Sequence, residues 1–413
     1  MEASLYVHVP FCADGKCDYC DFYSVPVNSD DERLPAYVET LLAGAERLFE
    51  TYAPENIPSV YIGGGTPSVL GPDGIRRLLG GLFQITGRYS PQPAEITVEA
   101  NPESADEAFL AAAREAGASR LSLGIQTFYG PSRKAVHRRG AETAAGVSLL
   151  HERLKYAAQY FPGSFSADML SGLPFQNENI LSDDLNSLFS HKPAHVSLYA
   201  LTLEDGTALA KHHADGSLSL PEADEADALF IHGRNLLENA GYGQYEVSNF
   251  CLPGKESIHN IRYWRMENWL ALGPSGSGTI IDDDTGTGLR YTIPKGIGDQ
   301  GVGTGVFVRK HNLAPYVSIT NKASHSPLLV EELDQITLIK ETILMGFRYI
   351  KGPDQALFRR RFNRDLEKLI PNTLGEWRRR GLLQEENAAL AKDGLLLLNR
   401  FLLDAFNEID TQV

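Results

Sequence analysis

The sequence predicts an α/β protein built on a parallel sheet, and three observations carry that reading. Strand-like and helix-like segments alternate through the first 250 residues. Polar and glycine-rich signals fall where the strand candidates end. From residue 328 onward the pattern turns mostly helical. Six βα units in succession place helices outside a parallel sheet. Six are too few for a complete eight-stranded barrel, which leaves a partial barrel open at one side or a doubly wound sheet. In either, ligands collect at the C-terminal ends of the strands.

The strand candidates are 4–10, 58–62, 95–100, 120–126, 164–170 and 195–203. Each is a short β-branched or apolar run, such as Glu95-Ile-Thr-Val-Glu99. Helix candidates lie near 35–52, 73–86, 106–116, 141–160, 177–190 and 222–240. The first puts Leu41, Leu42, Ala45 and Leu48 on one face. The third has Ser104 placed to cap its start and Gly117 its end. Residues 241–279, rich in aromatics and glycine, read as functional loops closing the sheet. Residues 280–327, with Asp282-Asp-Asp284 and many glycines, read as connecting structure with little regular core. Beyond them, Leu333, Ile336, Leu338 and Ile339 mark apolar helix positions. Arg359 to Arg361 and Arg378 to Arg380 read as solvated helix faces, and a short strand pair near 380–397 would make this end winged-helix-like. The expected division is 1–250, 251–327 and 328–413.

A chain of 413 residues, 43% hydrophobic and 22% charged, has the composition of a globular protein of two or three domains. The net charge of −15 opposes binding along a nucleic-acid backbone, which needs lysine and arginine to displace counterions. Four cysteines, three of them clustered, do not form a disulfide framework and point to a reducing compartment. There is no signal-peptide pattern at the N-terminus and no apolar run of about 20 residues. A cytoplasmic location is expected, with peripheral membrane contact left open.

The chemistry centres on Cys12-Ala-Asp-Gly-Lys-Cys17-Asp-Tyr-Cys20, directly after the first strand candidate. Thiolates are soft ligands that suit zinc or iron–sulfur iron. Three on one loop can hold three corners of a four-iron cluster and leave the fourth iron open to a cofactor. The alternatives are thiols without metal, or structural zinc with His8, Asp21 or Cys251 as fourth ligand. The other strand candidates end at Gly63-Gly-Gly-Thr66-Pro-Ser68, Glu99-Ala-Asn101-Pro102, Gln126, Asp168 and Thr202. Singly, these are ordinary turns, caps and ion-pair partners. Together they would meet one ligand across the mouth of the sheet.

The runs Tyr6-Val-His-Val-Pro-Phe-Cys12, Cys17-Asp-Tyr-Cys20-Asp-Phe22, Gly63-Gly-Gly-Thr-Pro67 and Glu99-Ala-Asn-Pro102 resemble the radical S-adenosylmethionine (SAM) superfamily. Leu123-Gly-Ile-Gln126-Thr-Phe128, Gly172-Leu-Pro174, Tyr245-Glu-Val-Ser-Asn-Phe250 and His259-Asn-Ile-Arg-Tyr-Trp264 resemble its branch of oxygen-independent coproporphyrinogen dehydrogenases and HemW-type haem chaperones, the latter most closely. The resemblance covers residues 4–280 well and 328–405 loosely. It implies a partial (β/α)6 barrel with a small, mostly helical, winged-helix-like C-terminal domain. It implies a [4Fe–4S] cluster on Cys12, Cys17 and Cys20, with SAM chelating the open iron. Gly64, Gly65 and Thr66 would meet the methionine end of SAM, and Tyr6, Glu99, Gln126, Arg138, Asp168 and Thr202 match further SAM-contacting positions. His259, Asn260, Tyr263 and Trp264 complete a motif implicated in haem binding.

The function implied is a haem chaperone that keeps the cluster and SAM and passes haem to an as yet unidentified acceptor protein. The alternatives are a coproporphyrinogen III dehydrogenase or other radical tetrapyrrole enzyme, and a zinc-binding interaction protein. Phe22, where the dehydrogenase has a further cysteine, and the short stretch before Cys12 favour the chaperone type. Three departures stand out. Four residues, not three, separate Cys12 from Cys17. His137-Arg138-Arg139-Gly140 replaces a Gly-Arg-x-His run. Gly273-Pro-Ser-Gly-Ser277 lacks the histidine of a Gly-Pro-Gly-Ala-His run.

Overall fold

The computed structural model describes residues 1–13, 15–138, 142–295 and 328–411, and the backbone alone at 307–309 and 315–317. Its centre is six parallel strands in chain order: β1 (Ser4–Val9), β2 (Ser59–Gly64), β3 (Glu95–Ala100), β4 (Arg120–Gln126), β5 (Phe165–Ser171) and β6 (His195–Ala200). The helices that follow them are α1 (Arg33–Tyr52), α2 (Gly71–Thr86), α3 (Glu107–Glu115), α4 (Ala144–Tyr160), α5 (Glu178–Phe189) and α6 (Ala223–Asn239). Six parallel strands that neighbour one another in sequence order make the partial (β/α)6 barrel, the fold class the sequence predicted; the doubly wound order would reverse midway.

The period of two along each strand divides the residues between the faces. Leu5, Val7 and Val9 are fully buried toward the helices, and α1 answers with Leu34, Val38, Leu41, Leu42, Ala45 and Leu48. The other face is polar. Register sets Tyr6 beside Tyr61, Tyr61 beside Thr97, Ser122 beside Ser166 and Asp168 beside Ser197. These inward positions form the barrel's interior. α3 is capped by Asp106, whose carboxylate accepts from the Phe109 amide at 2.8 Å, in place of the expected Ser104. Ser104 instead shares a 2.6 Å hydrogen bond with Ser68.

Beyond the six units the sheet is larger than the sequence suggested. Trp269–Leu272 lies parallel to β1 on its free side, and Asn249–Cys251 and Gly243–Gln244 extend the β6 edge. The segment expected to be loops therefore contributes three strands and a helix, Ile258–Trp264. The expectation of little regular core after 280 fails for the hairpin Ser277–Asp282 and Thr287–Thr292, which carries the sheet out to Leu329–Leu333. Asp282 builds its turn by accepting from the Asp284 amide at 2.9 Å, and Gly286 takes φ +65° there. Most of 296–327 lies outside the described residues.

The C-terminal part is helical and packs around Phe347, Phe358, Trp377 and Phe401. The strand pair looked for near 380–397 is reduced to a single antiparallel bridge, Leu383 to Leu390. Arg361 is not on a solvated face: it is buried and donates to Asp283 at 2.7 Å, tying this part to the hairpin turn. Arg379 is exposed, as expected, and pairs with Glu376 on its own helix.

Candidate cofactor site

A cavity of about 460 Å³ opens at the C-terminal ends of the six strands. Cys12, Cys17 and Cys20 line it together with Gly64, Gly65, Thr66, Glu99, Gln126, Arg138, Asp168 and Thr202. Eleven positions scattered over 190 residues of sequence meet there because the strands, and the loops that leave their C-terminal ends, converge on one mouth.

The glycine run is forced by close packing. A Cβ on Gly65 would lie 2.5 Å from the Phe11 carbonyl oxygen, and one on Gly63 would lie 2.8 Å from the Glu99 carboxylate. Gly64 has φ +116°, and its Cβ would strike the His8 ring at 2.7 Å. Backbone thus runs where side chains cannot, directly beneath the cysteine loop. Thr66 touches Cys12 Sγ at 3.6 Å and accepts a hydrogen bond from Asn101 Nδ2 at 2.7 Å.

Arg138 is the buried cation of the site. It is 7% exposed, donates to the Gly124 carbonyl at 2.7 Å and to Asn101 Oδ1 at 2.9 Å, and reaches Cys17 Sγ at 3.7 Å. Glu103 stands 3.8 Å from it and 3.2 Å from buried Arg133. Glu99 accepts from the Tyr61 hydroxyl at 2.6 Å and the Gly64 amide at 3.1 Å. Burial pushes the Glu99 carboxyl up to about 7; the Tyr61 hydrogen bond works against this, and the charge of Asp168 adds to it. Burial likewise raises Asp168, opposed by hydrogen bonds from Ser197 and Ser122, the latter at 3.1 and 3.2 Å. Gln126 has φ +66°, and its buried Oε1 has no partner among the described residues.

These features fit a cluster with a polar ligand bound to it. Three thiols face a cavity floored by bare backbone, with buried Arg138, the Glu99 and Asp168 carboxyls among others, and the Gln126 amide oxygen around them. The Cys20 thiol is pushed up to about 11 by burial, so its thiolate needs an electrophilic partner. Zinc would need its ligands within about 2.0–2.3 Å of a single point. Among the described residues, no three His, Cys, Asp or Glu side chains are grouped to hold one ion. The suggested fourth ligands are also placed elsewhere or engaged. Cys251 pairs with His195 at the start of β6, the opposite end of the barrel. His8 accepts from the Tyr6 hydroxyl at 3.0 Å and donates through Nε2 to the Tyr23 carbonyl at 3.1 Å. Asp21 does line the cavity.

Other predicted site residues lie apart. Tyr6 does not line the cavity; its hydroxyl is spent on His8 and its ring stacks on Tyr61. His259 and Tyr263 sit on the helix Ile258–Trp264, which plugs the N-terminal end of the barrel. His259 is 1% exposed, with Nδ1 bonded to Ser59 Oγ at 2.8 Å and Nε2 to the Tyr263 hydroxyl at 3.0 Å. Its amide donates to Glu95 at 3.0 Å, and burial pulls its pKa down to about 3, helped by the charge of Arg262. Trp264 packs with Tyr245, Cys251 and Tyr349, under the Arg348 guanidinium. Thus the three haem-motif residues and the three cysteines occupy opposite ends of the barrel. Asn101, already marked at its strand end, joins Thr66 to Arg138, and the geometry adds two residues not singled out from sequence, Tyr61 under Glu99 and Glu103. Tyr61 was findable, because alternation puts every second residue of its strand on the inner face.

The Radical SAM superfamily profile matches residues 6–188. The Heme chaperone HemW of Lactococcus lactis is 31% identical over 411 residues, which is 98% of each chain. The mitochondrial Radical S-adenosyl methionine domain-containing protein 1 of Mus musculus is 36% identical over 355 residues, 84% of this chain and 73% of that one. Among solved structures, coproporphyrinogen III oxidase (HemN) from Escherichia coli superposes with a TM-score of 0.73 at 19% identity, covering 98% of this chain and 89% of that one; this likeness is one of fold.

Proposed function

The chain belongs to the HemW family of the radical SAM superfamily, and on that premise we propose that it is a haem chaperone, binding haem beside a [4Fe–4S] cluster and SAM and delivering it to an acceptor protein. A cluster and SAM are implied by the superfamily itself. The observation that carries the site assignment is the single cavity shared by the three cysteines and the strand-end residues. In this proposal Cys12, Cys17 and Cys20 hold the cluster. Gly64, Gly65 and Thr66 give SAM a bare backbone floor, Glu99 and Arg138 match its charged groups, Gln126 supplies the unpartnered Oε1, and Asp168 and Thr202 close the far side. When bound, the cluster and SAM supply one-electron chemistry; the protein's part is to bind and orient them.

The haem part of the proposal rests on the names of the relatives and on the motif His259, Asn260, Tyr263 and Trp264. In the geometry described, His259 can meet haem only after its bonds to Ser59 and Tyr263 open. The proposal places the protein in the cytoplasm; among the described residues no helix is long and apolar enough to cross a membrane.

The test is an anaerobic haem titration of cluster-reconstituted protein, followed by absorbance. Saturable one-to-one binding is expected. Its absence overturns the chaperone reading, and SAM cleavage that depends on coproporphyrinogen III would replace it with an enzyme.

A further inference from the structure

The histidine at the cavity mouth has no hydrogen bond at Nε2 among the described residues. His137 lines the mouth of the cluster cavity, and its side chain is 62% exposed. Its Nδ1 lies 2.5 Å from Asp18 Oδ2, and that carboxylate is 9% exposed. An ionised carboxylate only accepts, so Nδ1 carries the proton and Nε2 keeps its lone pair on a largely exposed ring. This is how a metal-ligating imidazole is commonly held: one nitrogen donates to a carboxylate that fixes the ring, and the other faces the metal. Asp18 is itself fixed, its amide donating to Val136 and its carbonyl accepting from Leu209.

The backbone shows that this histidine is held at a cost. His137 has φ +48°, in the left-handed region that favours glycine. Around the mouth stand Phe22, 62% exposed, and Tyr199, 42% exposed, both lining the cavity. Exposed aromatics suit the flat apolar face of a porphyrin, and exposed Lys16 on the same rim suits its carboxylates.

We propose that His137 Nε2 is an axial ligand of haem iron at the mouth of the cluster cavity, with Asp18 as its positioning residue. The inference rests on the haem-chaperone reading. It keeps the chaperone reading but moves haem from the His259 motif to a place next to the cluster, where no helix must move, and leaves His259 to the fold.

The test uses full-length, cluster-reconstituted protein with ferric haem, read by absorbance and electron paramagnetic resonance. The variants are His137→Gly, which also relieves the backbone, and His259→Ala. His137→Gly is expected to weaken binding about tenfold or more and to lose the histidine-ligated spectrum, which added imidazole restores. His259→Ala is expected to keep that spectrum. Asp18→Asn should retain the cluster iron yet shift the haem spectrum. Saturable binding with an unchanged spectrum in His137→Gly overturns the inference alone. No saturable binding by the unsubstituted protein overturns the chaperone reading and the inference with it.

Discussion

The hydroxyl of Tyr61 donates to the Glu99 carboxylate at 2.6 Å inside the barrel, and this pair links its two ends. Above it, Glu99 grips the Gly64 amide under the cysteine loop. Below it, the Tyr61 ring stacks on His259 with centroids 5.0 Å apart. A column of three side chains thus runs from the cofactor cavity to the helix that plugs the barrel.

Glu99 makes stability fall with rising pH. Its carboxyl titrates near about 7 in the folded chain against 4.5 for an ordinary glutamate. Between these values the folded state keeps a proton the unfolded chain has lost. The contribution is therefore full below about 4.5 and lost as the pH rises through about 7. That span corresponds to about 3 kcal/mol at most. Glu246, also raised to about 7, and Asp184, raised to about 6, act with the same sign. Glu99→Gln should therefore reduce, without abolishing, the loss of stability of the metal-free protein between pH 5 and 8 in urea unfolding. An unchanged slope would show that Glu99 is ionised throughout.

Gly65→Ala should be among the most damaging single changes at the site. The new Cβ meets backbone, the Phe11 carbonyl oxygen at 2.5 Å, so the strand leading into the cysteine loop must shift. A cost of about 1–3 kcal/mol is expected, with reconstituted iron well below that of the unsubstituted protein. Gly80→Ala, in α2 with open space around its Cβ, should be neutral or stabilising by up to about 1 kcal/mol. Equal iron content in the two variants would count against a close-packed floor.

How much of this was legible beforehand follows from what each signal depends on. The six strands and their helices were readable because period and punctuation are local properties, and strand-end clustering of polar residues then located the cavity. Trp269–Leu272 was not: its place beside β1 is set by pairing across 265 positions, and an aromatic-rich run carries no sign of its partner. Ser104 looked like a cap because it precedes an apolar pattern, but Asp106 has the better reach to the third helical amide. His259 shows the limit most clearly. A motif fixes residue identity and spacing, yet whether both ring nitrogens are already taken depends on Ser59, 200 positions away.

Cysteine substitutions should separate by barrel end. Cys12→Ser, Cys17→Ser and Cys20→Ser each remove a thiolate from the cavity and should drop the reconstituted iron from about four atoms per chain to a small residue. Cys251→Ser lies at the start of β6 and should keep the full complement. Stoichiometric zinc in anaerobically purified protein, retained in Cys20→Ser, would overturn the cluster assignment.

His259 should behave as a structural residue in stability and as a pH-sensitive one in acid. Its ring is neutral in the folded chain down to about pH 3, against 6.5 for an ordinary histidine. Below about 6.5 the unfolded chain binds a proton the folded one refuses, so this stability is whole above that value and lost as the pH falls toward about 3. His259→Ala removes a partner from Ser59, which keeps its bond to Ser4, and from Tyr263, and it opens space beside Tyr61, costing about 2–4 kcal/mol at neutral pH. It should also flatten the acid limb of the stability profile between pH 4 and 6.5. Both effects belong to the protein without haem, which separates them from any role in binding. A variant as stable as the parent would mean that the helix carrying His259 is already loose, and would return this end of the barrel to contention as the haem site.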